Sequence, residues 1–113
     1  MKSVIQSSLE DGKAQDVVTI DLHGKTDIAD CMIIATGTSA KHASVLADKL
    51  IKKIKDVDPY AISSTEGLTE GNWVIVDTGD VIIHIFKAEY REIYNLEKMW
   101  AVTMPEAAEL ALV

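Results

Sequence analysis

The sequence predicts a single α/β domain with a mixed sheet of about five strands and helices on both faces. One observation is a helical pattern with a single apolar stripe over residues 40–56, and another is the set of β-branched runs before and after it. A third is the run 80–86, whose side chains are apolar toward both faces, as in a covered central strand. The fold class follows because such elements pack in layers around one core.

Short apolar runs bounded by turn residues predict the strands. The last two flank Thr78-Gly79 and indicate a tight hairpin. A polar loop is expected over residues 63–72. The predicted strands are residues 17–22, 31–36, 60–62, 73–77 and 80–86.

The helix over residues 40–56 is predicted by apolar residues three, four and seven apart, with its lysines on the opposite side. Thr38 or Ser39 can cap it, and Asp58-Pro59 ends it. The other predicted helices are residues 3–11 with Val4, Ile5 and Leu9 inward, a helix over 87–100, and a short one over 107–112 after a capping-box spacing at 103–106. We expect one domain over residues 1–100 and a C-terminal tail over 101–113.

Charge and composition restrict the classes of function. The chain has 113 residues and a net charge of −7, so the lysines of residues 39–56 are weak support for binding nucleic acid directly. An acidic domain is better suited to a basic protein partner, although solubility alone explains the charge more simply. The chain lacks an apolar run of ~18 residues and a signal-peptide core. With one cysteine, Cys31, in an apolar run, we expect a cytoplasmic protein without a membrane partner.

One candidate phosphate site follows the second predicted strand. Gly37-Thr38-Ser39 is a glycine turn that opens a helix, and backbone N–H groups at such a terminus can bind phosphate. Nucleotidyltransferases also need two or three metal-binding carboxylates on neighbouring strands. The next strand offers none, and Asp77 and Asp80 bracket a turn, where carboxylates usually cap backbone N–H groups. A nucleotide-binding enzyme therefore remains only the alternative prediction.

The histidines and the cysteine do not predict a metal centre. The spacing of His23, Cys31, His42 and His84 matches no compact zinc pattern. His84 is expected to be a hydrogen-bonded core histidine, and His42 to be solvated or to cap its helix. A Gly-x-Ser-x-Gly nucleophile turn is absent from the sequence. No catalytic residue, metal or cofactor is predicted.

Five of the six aromatic residues fall between Trp73 and Trp100. Large rings grouped with Met and Arg are typical of a docking surface. Tyr90 and Tyr94 form an i, i+4 pair on one face of the predicted helix. Core packing beside a solvated charged face is the other explanation, and it fits the end of this segment less well. A Trp beside a Met near a chain end must be covered by the tail, a second copy or a partner.

Four segments of the chain resemble the Iojap family, the ribosomal silencing factors, in order and in spacing. They are DIADCMIIATGTS at 27–39, GNWVIVD at 71–77, GDVIIHIF at 79–86 and YNLEKMW at 94–100. The resemblance covers roughly residues 10–100, with a shortened N-terminal helix and a tail that differs among members. Four linked segments are far more specific than any one of them.

The resemblance implies a nucleotidyltransferase-like fold without the catalytic carboxylates, no enzymatic activity and no cofactor. It implies binding to the large ribosomal subunit through its fourteenth protein, which would block joining of the small subunit and repress translation when nutrients are scarce. It also implies a homodimer when the protein is free, and organelle relatives are associated with large-subunit assembly. A self-associating module in that assembly is therefore a second alternative.

The resemblance also indicates which side chains contact the partner. We expect the rings and Met99 to supply apolar contact, and the acidic groups to face basic residues of the ribosomal protein. The predicted contact residues are Trp73, Asp80, Lys87, Tyr90, Arg91, Tyr94, Lys98, Met99 and Trp100.

Overall fold

The computed structural model describes residues 1–24 and 27–90. Two helices and five strands lie in this part of the chain, and residues 88–90 after the last strand are also helical. The elements are α1 (Lys2–Asp11), β1 (Gln15–Asp21), β2 (Cys31–Gly37), α2 (Ala40–Val57), β3 (Ser64–Glu66), β4 (Trp73–Asp77) and β5 (Val81–Lys87).

The strands form one mixed sheet in the order β1-β2-β5-β4-β3. Only β2 and β5 pair in parallel, and the other three pairs are antiparallel. β2 is buried at every position and β5 at all but two, because apolar side chains alternate to both faces of these central strands. The predicted five-stranded mixed sheet is confirmed, and so are α2 and the β4–β5 hairpin.

The first face of the sheet is covered by both helices. α2 buries the predicted stripe, including Leu46, Leu50 and Ile54, against residues of β2, β4 and β5. α1 buries Ile5 and Leu9 in the same cluster, while the third residue predicted to face inward, Val4, is only half-buried. This face is a continuous apolar core, and it holds the sheet rigid from one side.

The second face of the sheet has a different cover. Leu22 and Ala29, in the loop between β1 and β2, pack there with Met32, Ile34 and Phe86. Trp73 and Tyr90 pack against this cluster as half-buried residues; Ile20 and Ile82 do the same. Because Tyr90 belongs to the helical residues 88–90, helical chain packs on both faces of the sheet.

The predicted strand at residues 60–62 is wrong. Asp58 builds a turn there, because its side chain accepts the Tyr60 N–H at 3.0 Å and its carbonyl accepts the Ala61 N–H at 3.2 Å. The edge strand β3 lies instead within the predicted loop, where its three side chains are all exposed. Among the described strands it pairs only with β4, and its exposed side chains leave no apolar pattern for the sequence to reveal.

Gly71 sets the position at which the hairpin begins. Its φ is +71°, and a Cβ there would overlap the carbonyl oxygen of Ala40 and lie 2.6 Å from the Ser44 hydroxyl. The Ser44 hydroxyl also donates to the Leu68 carbonyl at 2.9 Å. The loop before β4 is therefore packed directly on the first turns of α2.

The predicted helix beyond Tyr90, the short helix at 107–112 and the division at residue 100 lie outside the described residues.

Candidate partner-binding surface

The hairpin brings three rings together on the second face of the sheet. Trp73, the first residue of β4, pairs with Phe86, while His84 lies two residues back on β5 and points to the same side. The Trp73 and Phe86 rings stack with centroids 5.0 Å apart and planes 26° apart. The His84 and Phe86 rings lie 6.0 Å apart and nearly parallel, at 9°. We call Trp73, His84 and Phe86 the ring cluster.

A hydrogen bond joins two members of the ring cluster. The indole N–H of Trp73 donates to Nδ1 of His84 over 2.9 Å. His84 is only 7% exposed, and this burial lowers its pKa to about 4. At neutral pH the imidazole is therefore uncharged with its proton on Nε2, because Nδ1 accepts the indole hydrogen. The expected hydrogen-bonded core histidine is found.

Lys87 and Tyr90 lie where β5 ends, beside the ring cluster. The Lys87 ammonium is 3.1 Å from the Glu89 carboxylate and 5.5 Å from the centre of the Tyr90 ring, the range of a cation–π contact. The Lys87 N–H also donates to the Asn72 carbonyl at 2.9 Å, next to Trp73 in the chain. Trp73, Lys87, Glu89 and Tyr90 thus share one end of the hairpin, and we call these four residues the aromatic end.

Asp80 lies away from the aromatic end. It precedes β5, whereas Lys87 closes the strand, and seven residue steps along a strand span roughly 20–25 Å. Its carbonyl accepts the N–H groups of Asp30 and Cys31 at 2.8 and 3.2 Å. Together with Asp27 and Asp30, Asp80 lines a cavity of about 430 Å³. Two of the predicted contacts, Asp80 and Lys87, therefore belong to separate surfaces.

The glycine turn at Gly37-Thr38-Ser39 leads into α2 and supplies its N-terminal cap. The Ser39 hydroxyl accepts the His42 N–H at 3.1 Å, and His42 Nδ1 accepts the Thr38 N–H at 2.9 Å. Nε2 of His42 lies 2.9 Å from the Gly12 carbonyl at the end of α1. The His42 ring was expected to be solvated or to cap its helix; the cap is the Ser39 side chain, and the His42 ring bonds the residue before it and ties both helices together.

One of the two carboxylates considered for catalysis, Asp77, has a local role. Asp77 accepts the Gly79 N–H at 2.7 Å, as expected for turn capping. Within residues 1–24 and 27–90, no group of three or more His, Cys, Asp or Glu side chains is arranged to hold a metal ion. Cys31 is buried, as expected, and burial raises the pKa of its thiol. In the same ranges, none of the helices has the length and apolar character required to cross a membrane.

Sequence reasoning missed two residues of this surface. Glu89 was not predicted as a contact residue, although the sequence places it two residues after Lys87, at the end of the hairpin. The hydrogen bond between His84 and Trp73 was also missed, although counting back from the hairpin turn places both side chains on one face of the sheet. The other predicted contacts, Arg91, Tyr94, Lys98, Met99 and Trp100, lie outside the described residues.

The described residues define a small α/β protein with a mixed five-stranded sheet and an aromatic surface at one end of its central hairpin. The family model for "Ribosomal silencing factor during starvation" matches residues 1–111. Ribosomal silencing factor RsfS from Zymomonas mobilis is 45% identical over 97 residues, which cover 86% of this chain and 72% of that protein.

Two further comparisons agree with that match. A crystal structure of a protein from Chromobacterium violaceum superposes with a TM-score of 0.85 at 33% identity, covering 92% of this chain and 86% of that one. A mouse protein named "Mitochondrial assembly of ribosomal large subunit protein 1" is 32% identical over 103 residues, which cover 88% of this chain and 44% of that protein. The chain belongs to the ribosomal silencing factor family, as its resemblance to the Iojap family predicted.

Proposed function

We propose that this protein represses translation in the cytoplasm by binding the large ribosomal subunit through its fourteenth protein, where it blocks joining of the small subunit. The observation that carries the proposal is the family match over residues 1–111, supported by the 45% identity to a ribosomal silencing factor. The mouse relative is named for assembly of the large ribosomal subunit, which supports the large subunit as the platform on which the family acts.

The aromatic end is the part of the described surface best suited to this docking. It offers two half-buried rings, Trp73 and Tyr90, held on a rigid sheet, with an ion pair of Lys87 and Glu89 beside them. Aromatic anchors surrounded by charges are typical of interface centres. Truncation of such an anchor typically costs about 1–2 kcal/mol or more of binding free energy, which we expect for Trp73→Ala.

Co-sedimentation with purified large subunits tests the proposal. The wild type should pellet with large subunits and reduce the formation of joined ribosomes when small subunits are added. Trp73→Ala and Tyr90→Ala should weaken both effects. Tyr60→Ala is the matched control, because Tyr60 is 92% exposed in the turn after α2 and should bind as the wild type does.

Three results would count against different parts of the proposal. Failure of the wild type to pellet with large subunits would remove the docking function itself. Wild-type binding by Trp73→Ala and Tyr90→Ala, with thermal unfolding confirming that both are folded, would remove only the assignment of the aromatic end. Cross-linking to a large-subunit protein other than the fourteenth would overturn the proposed partner.

We also propose that the protein acts without catalysis and forms a homodimer when it is free. The capping roles of Ser39 and Asp77 support the first part, because both side chains are engaged in local backbone hydrogen bonds. Heat from nucleoside triphosphate and magnesium in a calorimetric titration would contradict it. A monomer in sedimentation equilibrium at tens of micromolar would contradict the dimer.

A further inference from the structure

We propose that His84 is a positioning residue of the docking surface, which fixes the orientation of the Trp73 ring through the hydrogen bond from its indole N–H. The effect on docking depends on the proposed function, whereas the hydrogen bond itself does not. His84 needs no contact with the partner for this role, because it acts through Trp73.

The Trp73 ring is restrained from two directions. A Trp side chain has two rotatable bonds, and stacking on Phe86 at 5.0 Å restricts the plane of the ring without deciding which edge points inward. The bond from Nε1 to Nδ1 of His84, at 2.9 Å, decides that edge. An indole nitrogen can only donate, so an acceptor at this place selects one of the two ways in which the ring can stack.

His84 is itself held firmly enough to serve as this reference. It lies on β5, with β2 on one side and β4 on the other, and its ring is nearly parallel to that of Phe86. It is 7% exposed, so its rotamer is set by packing rather than by solvent. Sites supported on rigid strands by locked neighbours keep their geometry.

A ring that is already oriented does not have to be ordered when the partner binds. Ordering a side chain of this kind at an interface typically weakens binding by roughly three- to tenfold. We therefore expect His84→Leu to weaken binding to large subunits by that factor. The leucine side chain is of similar size, but it has no hydrogen-bond acceptor for the indole N–H. The effect should appear as faster dissociation, since the contacts that steer encounter are unchanged.

A double-mutant cycle separates positioning from a general loss of structure. Trp73→Phe keeps a ring for stacking but has no N–H group, so adding His84→Leu to it should cause little further loss of binding. His84→Asn should restore most of the binding, because its amide oxygen can occupy the position of Nδ1. Equal losses from His84→Leu in both backgrounds, or no rescue by His84→Asn, would overturn the positioning role.

A measurement without ribosomes separates this inference from the proposed function. In ¹⁵N-labelled wild type, a scalar coupling across the N–H···N bond should connect Trp73 Nε1 with His84 Nδ1, and it should be lost in His84→Leu. Absence of the coupling in the wild type would overturn the inference whatever the protein binds. A coupling in a protein that does not bind large subunits would overturn the docking role and leave a structural hydrogen bond.

Discussion

Acidification from pH 7 to pH 5 should destabilise the fold through a single buried side chain, His84. Burial lowers the pKa of this imidazole from 6.5 to about 4. Below pH 6.5 the unfolded chain binds a proton that the folded chain does not, so the stability present above pH 6.5 is lost as the pH falls toward 4. Protonation would also turn Nδ1 into a donor that faces the Trp73 N–H at 2.9 Å.

The size of the effect follows from the two pKa values. The difference between 6.5 and about 4 corresponds to about 3 kcal/mol when it is fully expressed, at 1.36 kcal/mol for each pKa unit. Roughly 2 kcal/mol of this should be lost between pH 7 and pH 5.

Urea denaturation at pH 7 and pH 5 measures the effect. The free energy of unfolding of the wild type should fall by about 2 kcal/mol more than that of His84→Asn, which cannot titrate in this range. The control is His23→Asn, which makes the same substitution at an exposed histidine. Equal pH dependence of the wild type and His84→Asn would refute the assignment of a buried, neutral His84.

Three further predictions concern stability and are checked by urea denaturation at pH 7. Gly71→Ala should lower the free energy of unfolding by about 2 kcal/mol or more, because Gly71 has a φ of +71° and a Cβ there would overlap the first turn of α2. Gly79→Ala should lower it by only about 1 kcal/mol, because Gly79 has a φ of +85° but lies in open space. Equal losses in the two variants would contradict the overlap at Gly71. Ser39→Ala removes the cap of α2 and should cost about 1 kcal/mol, and no loss would contradict the capping bond. Lys53→Ala should change stability by less than ~0.5 kcal/mol, because its 2.8 Å ion pair with Asp11 is exposed at 42% and 68%; a larger loss would contradict solvent screening.

The sequence predicts the central elements because burial leaves a periodic pattern. α2 repeats its apolar residues with the period of a helix, whereas β2 and β5 are short β-branched runs that are apolar toward both faces, and their length and flanking turn residues identify them as strands. β3 leaves no such pattern, because Ser64-Thr65-Glu66 buries none of its side chains and contributes only backbone hydrogen bonds at the sheet edge. The apolar residues before it were therefore mistaken for the strand.

The candidate site was predicted less completely, for a geometric reason. Residue types indicated the rings and charges, but contacts between side chains on two strands depend on the register of the hairpin. That register brings Trp73 to His84 and leaves Asp80 a full strand length from Lys87. Prediction from residue types alone therefore assigned Asp80 and Lys87 to one surface, whereas the structure places them on two separate surfaces.

The two faces of the sheet differ in a way that bears on docking. The first face is closed by α1 and α2 over an apolar cluster, whereas the second carries the Trp73–His84 hydrogen bond and the rings packed beside it. A buried polar pair adds little net stability but fixes one arrangement, since either partner alone would be left unsatisfied. If docking uses the aromatic end, substitutions at His84 should alter the affinity for large subunits, whereas substitutions at Leu50 that leave the protein folded should alter stability alone. Comparing the two effects in one set of variants distinguishes a face that holds the fold from a face that presents a surface.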